Sequence, residues 1–136
     1  MGCWLTTHYR HRSESHPYSI YLKERYKKRA EKINVGDQVA FYELKGSDGG
    51  KEAIVAIAEV AGGRRKNIHR DGGPNIADEV WEWELPCTKP NQSGRVPKAA
   101  LYKILGWQPR RPPLIPGGLM KLDQDQFDEI AKVFGE

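Results

Sequence analysis

Seven consecutive residues, Ile54-Val55-Ala56-Ile57-Ala58-Glu59-Val60, constrain this chain more than any other stretch, because six of them are apolar and they occupy both faces of a strand. A strand of that kind has no face to give to water, so other elements must cover it on both sides. The chain has 136 residues, of which 38% are hydrophobic and 29% charged, so one domain spanning residues 1–136 is expected to supply that cover. Four Trp, six Tyr and three Phe anchor the packing and argue against disorder.

The rest of the chain supplies short elements. Cys3 to Thr7 reads as a strand and His8 to His16 as a polar loop. Ser19 is placed to cap an α-helix from about Ile20 to Lys32, with Leu22, Tyr26, Ala30 and Ile33 on its core face. Val35-Gly36-Asp37 turns into a strand from Gln38 to Leu44, and the glycine-rich residues 45–51 link it to a strand from Ala53 to Val60. A loop from Ala61 to Asn75, rich in glycine and arginine, precedes a strand from Val80 to Leu85 with Trp81, Trp83 and Leu85 on one face. After a loop over 86–96, Pro97 and Gly106 bracket a helix from Pro97 to Leu105. The proline-rich run 108–118 is neither helix nor central strand, and Leu119 to Leu122 forms a last strand. Asp123 and Gln126 make a capping box for a final helix whose Phe127, Ile130, Ala131 and Phe134 share one face, with Gly135 at its end. The sum, about five or six short strands with two or three helices, fits an α+β fold: a small curved sheet closed into a partial β-barrel with the helices at its rim.

Charge is distributed unevenly. Residues 1–36 carry a local excess of five positive charges and the last sixteen an excess of three negative ones, against +4 for the whole chain. Such a molecule suits an anionic partner approaching from one side. No apolar run reaches the roughly 18–20 residues that a membrane span needs. The opening Met1-Gly2-Cys3-Trp4 has neither the basic start nor the apolar stretch of a secretion signal, and Gly2 lies in poor context for myristoylation. Cys3 and Cys87 form no CxxC pair, so free thiols in a reducing cytoplasm are the expectation.

Enzyme signatures are weak. Gly46-Ser47-Asp48-Gly49-Gly50-Lys51 lacks the spacing of a phosphate-binding loop, and His69-Arg70-Asp71 stands without the other motifs of a kinase. His8, His11 and His16 lie close together, but their spacing in a polar loop does not impose a metal geometry, so no metal and no cofactor is expected. What remains is a set of rings and cations. Nucleobases stack on aromatic rings while Arg and Lys neutralise phosphates. The loop cations Arg10, Arg12, Arg64, Arg65, Lys66, Arg70, Arg110 and Arg111 are the candidate phosphate contacts. Trp4 and Trp83 read as core residues.

An ordered set of motifs resembles the EVE domain family. It comprises Cys3-Trp4-Leu5, Tyr18-Ser19-Ile20, Ile33-Asn34-Val35-Gly36-Asp37-Gln38-Val39-Ala40-Phe41-Tyr42, Ile54 to Val60 and the closing Leu119 to Val133 segment, and it extends over nearly the whole chain. The family belongs to the PUA-like superfamily and is related to the YTH readers of methylated adenine in RNA. The resemblance implies a barrel whose concave side takes a flipped, modified base. It also implies a non-catalytic role on DNA or RNA, beside a nuclease or modification system. By position it brings Thr6, Thr7 and His8 at the end of the first strand, Tyr18 near the first helix, and Tyr42 and Glu43 at the end of the second strand to the pocket. Trp107 joins Tyr18 and Tyr42 as a candidate stacking ring. The hydroxyls of Thr6 and Thr7 would donate or accept hydrogen bonds, and Glu43 would accept from an exocyclic amine. The chain departs from the family pattern after the first strand, where Thr6-Thr7-His8-Tyr9 replaces a common Lys-Ser-Glu-Pro, and after the first helix, where a Trp and a Val-Arg-Asn segment are missing.

Two other functions compete. An RNA-processing or nucleotide-hydrolysing enzyme would use His8, His11, His16 or His69 as a base beside Glu43 or Asp71. A protein-interaction module would use Pro109 to Pro116 as a docking strip.

Overall fold

A computed structural model describes residues 2–9, 18–45, 50–66, 83–109, 115 and 118–136. Its centre is a five-stranded sheet of β1 (Cys3–Tyr9), β3 (Gln38–Leu44), β4 (Ala53–Glu59), β7 (Val96–Pro97) and β8 (Leu119–Leu122), in the order β7-β4-β3-β1-β8. The central pair β1 and β3 is parallel, with Cys3 opposite Gln38 and His8 opposite Glu43, and the other pairs are antiparallel. A second sheet, in the order β2-β6-β5, consists of β2 (Ser19–Leu22), β6 (Trp83–Pro86) and β5 (Arg65–Lys66). The helices are a 3-10 helix (Glu24–Lys32), α1 (Lys98–Leu105) and α2 (Gln124–Phe134).

The central sheet separates two cores. Alternation along β1 sends Cys3 and Leu5 to one side and Trp4 to the other, and β3 divides Ala40 and Tyr42 from Val39 and Phe41 in the same way. The first side packs with Ile54, Val96 and Leu122 against Leu101 of α1 and Phe127, Ile130 and Phe134 of α2. The second packs with Ala56, Ala58 and Val60 against Ile20, Leu22 and Leu85 of the small sheet and Ala30 and Ile33 by the 3-10 helix. This explains the two-faced strand: β4 gives Ile54 to one core and Ala56 and Ala58 to the other.

Local signals placed both α-helices as expected. Pro97, expected as the first helical residue, stands just before α1 in extended backbone, and Gly106 ends the helix at φ 71°, a left-handed backbone that favours glycine, with its N–H directed at Tyr102 O and Lys103 O. At α2, Gln126 Oε1 accepts from the N–H of Asp123 at 3.0 Å, half of the capping box.

Three expectations are corrected. The α-helix from Ile20 to Lys32 is instead strand β2 followed by the 3-10 helix, and Ser19 pairs with Pro86 rather than capping. Tyr18-Ser19-Ile20-Tyr21-Leu22 suits a pleated, half-buried surface, and pairing with β6 outweighs the helical spacing. Among the described residues eight strands stand where about five or six were expected, partly because the two-residue β5 and β7 lie in stretches that read as loops. Among the described residues the strands form two sheets and not a closed barrel. They meet at a seam where Val60 bridges Cys87, Ala61 N donates to Pro86 O and Thr88 N to Glu59 O, both at 2.8 Å.

The Val35-Gly36-Asp37 turn locks the start of the sheet. Asp37 is buried, and its carboxylate accepts from Gly2 N at 2.9 Å, Trp4 Nε1 at 3.0 Å and Asn34 N at 2.9 Å. Burial by itself pushes this carboxyl up, but the Asn34, Trp4 and Gly2 donors and the amino terminus outweigh it and hold the group below its ordinary value. Gly36 sits at φ 93° and donates its N–H to Val60 O at 2.9 Å, which ties the turn to the end of β4.

Candidate functional site

The C-terminal ends of β1 and β3, on the face toward the small sheet, hold a group of rings and polar side chains. His8 is fully buried and stacks on Tyr18, with ring centroids 4.2 Å apart and planes at 21°. Phe41 meets Tyr18 edge-on at 5.1 Å and His8 at 6.3 Å. Thr6, one pleat before His8, donates from Oγ1 to Gly118 O at 2.6 Å. Glu43 is buried opposite His8, and its Oε1 accepts from Lys51 N at 2.8 Å. The strand period of two puts Thr6 and His8 on the face of Trp4, and Glu43 on that of Phe41, so all of them project between the sheets.

Thr6, His8, Tyr18 and Glu43 are therefore brought together from the seven base-pocket candidates, and Phe41 joins them. The other three lie elsewhere. Tyr42 points to the helix-covered core, and among the described residues its hydroxyl has no hydrogen-bond partner. Burial pushes that phenol far above its ordinary value, with Tyr102 and Glu52 adding to the effect, so it stays protonated. Thr7, half-buried, belongs to the same face as Tyr42 by alternation. Trp107 packs edge-on against Tyr102 of α1 at 5.2 Å and lines a cavity of about 530 Å³ with Lys98, Ala99, Lys103 and Pro109.

The described phosphate candidates gather at the edge of the small sheet. Arg64 covers the Trp83 ring at 4.7 Å and donates to Lys27 O at 3.2 Å. Lys27 stands 5.9 Å from the same ring and pairs with Glu24 at 2.6 Å, and Glu24 also accepts from Trp83 Nε1. Arg65 Nε lies 3.0 Å from Oε1 of Glu84, a carboxylate with no exposed surface. Lys66 follows Arg65 in β5. Arg10, Arg12, Arg70, Arg110 and Arg111 lie outside the described residues.

Of the candidate catalytic residues, His8 and Glu43 lie in this cluster. His11, His16, His69 and Asp71 fall outside the described residues, as does most of the Pro109 to Pro116 strip. Among the described residues no three His, Cys, Asp or Glu side chains converge on a metal position, and no helix is long and apolar enough to cross a membrane. Both cysteines are free, and burial pushes the Cys87 thiol up to about 12, which keeps it un-ionised and a poor nucleophile at neutral pH.

Sequence reasoning missed three participants. Phe41 sits in the quoted motif, yet only the pairing of β1 with β3 aims it at His8. Trp83 read as core, whereas it lies half-buried between Lys27 and Arg64. Nothing local in Glu84 announces burial, because its partner comes from another strand.

The chain matches no family model and no curated protein. Among solved structures it is similar to the human THYN1 protein, solved in complex with DNA containing 5-methylcytosine. That TM-score is 0.64 at 11% identity, covering 100% of this chain and 99% of that one. It is also similar to Rpa0253 from Rhodopseudomonas palustris (TM-score 0.57, 16% identity, 99% and 94% covered) and to Atu2648 from Agrobacterium tumefaciens (TM-score 0.56, 12% identity, 99% and 94% covered). At these identities the likeness is one of fold, and the mixed α+β class expected from the sequence is the one observed.

Proposed function

We propose that residues 1–136 act as a single, non-catalytic module that binds nucleic acid and reads a modified base, methylated or hydroxymethylated, flipped out of its strand. The observation that carries this reading is the His8–Tyr18–Phe41 cluster with Thr6 and Glu43 beside it, between the two sheets. A dry core needs no imidazole, hydroxyl and carboxylate at one spot, whereas a base needs rings to stack on and polar atoms for its edge. The shared fold with THYN1, whose structure holds DNA containing 5-methylcytosine, supports the same reading. His8 and Tyr18 stack on each other here, so a base that uses these rings separates them and takes up the space between. Thr6 and the second oxygen of Glu43 are the candidates for the base edge, and Arg64 and Arg65 remain the candidate phosphate contacts. Discrimination would rest on fitting one small substituent, which is worth about 1–3 kcal/mol.

Oligonucleotides that differ at one base modification, titrated against the wild type and Tyr18→Ala, test the proposal. Saturable binding that weakens with salt is expected, with a preference for the modified strand that Tyr18→Ala removes at a cost of about 1–3 kcal/mol. Binding that ignores the modification in the wild type leaves a nucleic-acid binder and ends the reader assignment.

A further inference from the structure

A second cavity, of about 290 Å³, opens at the other end of β1. Trp4, Leu119 and Met120 provide its apolar wall, and Arg29, Lys32 and Lys121 stand around it. Three cations and no acid line this space, and they come from two elements far apart in sequence, the 3-10 helix and β8. Like charges drawn together cost energy unless an anion shares the space.

The cavity is built, not incidental. Arg29 donates to Leu119 O at 3.0 Å and lies over the Tyr26 ring at 4.6 Å, which fixes its direction. The Trp4 indole is anchored through Nε1 to Asp37, and Lys121 Nζ stands 6.0 Å from its ring. The carboxylate behind the indole accepts from three N–H groups, none of which belongs to the cations in front. Lys32 and Lys121 are exposed, so their charges are accessible to a ligand.

Position relates this cavity to the base site. Trp4, Thr6 and His8 share one face of β1, and Trp4 is four residues from His8, about 13 Å at the usual strand rise of roughly 3.3 Å per residue. We propose that the cavity is a phosphate subsite that holds the sugar-phosphate backbone of a strand a short distance from the base under inspection. The proposal rests on the reading given above. It adds a contact that positions the strand without carrying sequence or modification information.

The test uses the whole chain and the variant K32A/K121A, which spares Arg29 and its structural bonds. Fluorescently labelled single strands, with and without the base modification, are titrated over a range of salt. The expected result is a loss of affinity by the same factor for both strands, with the modification preference unchanged. The log–log salt slope should become shallower by about 1.4, at roughly 0.7 per phosphate contact. Unchanged affinity and slope overturn the subsite even if the modification preference persists, and so does a loss confined to the modified strand. A wild type that binds no strand sinks the reader reading, and a second probe then decides the cavity. A thermal shift with a nucleoside 5′-monophosphate that the double variant lacks assigns it to free phosphate esters, and the absence of a shift overturns it.

Discussion

The two faces of the central sheet are made by the same strands but packed on different terms. On the helix-covered face, Cys3, Leu5, Ala40 and Ile54 meet Leu101, Phe127 and Ile130, and the contacts are mostly apolar, with the buried Tyr42 hydroxyl as an exception. On the face toward the small sheet the same strands present Trp4, Thr6, His8, Phe41 and Glu43, a mixture of rings and buried polar atoms. Burial without polar atoms yields stability at no electrostatic cost, whereas each buried polar group must find a partner. The contrast teaches where to look: the face that carries buried polar groups beside rings is the one on which the proposed base site lies. Even there the two ends differ. At the start of β1 the polar groups are a structural lock around Asp37, and at its end they gather beside the His8–Tyr18 stack.

The largest effect should come from the helix-covered face. Phe127→Ala removes a buried ring and is expected to lower stability by about 3–5 kcal/mol in urea unfolding, with the preference for a modified base unchanged. A loss of that preference would erase the division between the faces. Asp37→Ala comes next, at about 2–3 kcal/mol, because three N–H donors lose a charged acceptor. The folded carboxyl lies below its unfolded value of about 3.9, so the unfolded chain takes up the proton first. Stability present above roughly pH 4 is then lost as pH falls through the folded value, and Asp37→Asn should flatten this part of the urea-midpoint profile.

Arg65→Ala should cost about 1–3 kcal/mol, less than a fully buried pair because the arginine is 55% exposed. Adding Glu84→Gln should restore part of the loss in a double-mutant cycle; additive losses would mean that the pair contributes nothing. The smallest effect is expected at Tyr42. Tyr42→Phe removes a buried hydroxyl with no partner among the described residues, so stability should stay the same or rise by about 1 kcal/mol. A marked fall would reveal a partner for that hydroxyl and make the helix-covered face less dry than its lining indicates.

Much of the fold was legible in the chain. Asp123 with Gln126, Pro97 with Gly106, and the two-faced β4 run each carry their signal within a few residues, because caps and strand periods are local physics. The stretch from Ser19 to Lys32 misled for the opposite reason: apolar residues at helical spacing were claimed by a strand partner more than sixty residues away. The site was only half legible. The motifs indicated the ends of β1 and β3, but alternation decided that Thr6, His8 and Glu43 face one side while Thr7 and Tyr42 face the other, and a one-residue slip would reverse that choice. Sequence by itself determined the two α-helices and their ends, the Val-Gly-Asp turn and the need to enclose β4 twice. Tertiary structure alone decided which rings stack, which cations share a cavity and which carboxylates are buried, because those depend on pairings between segments that no local pattern encodes.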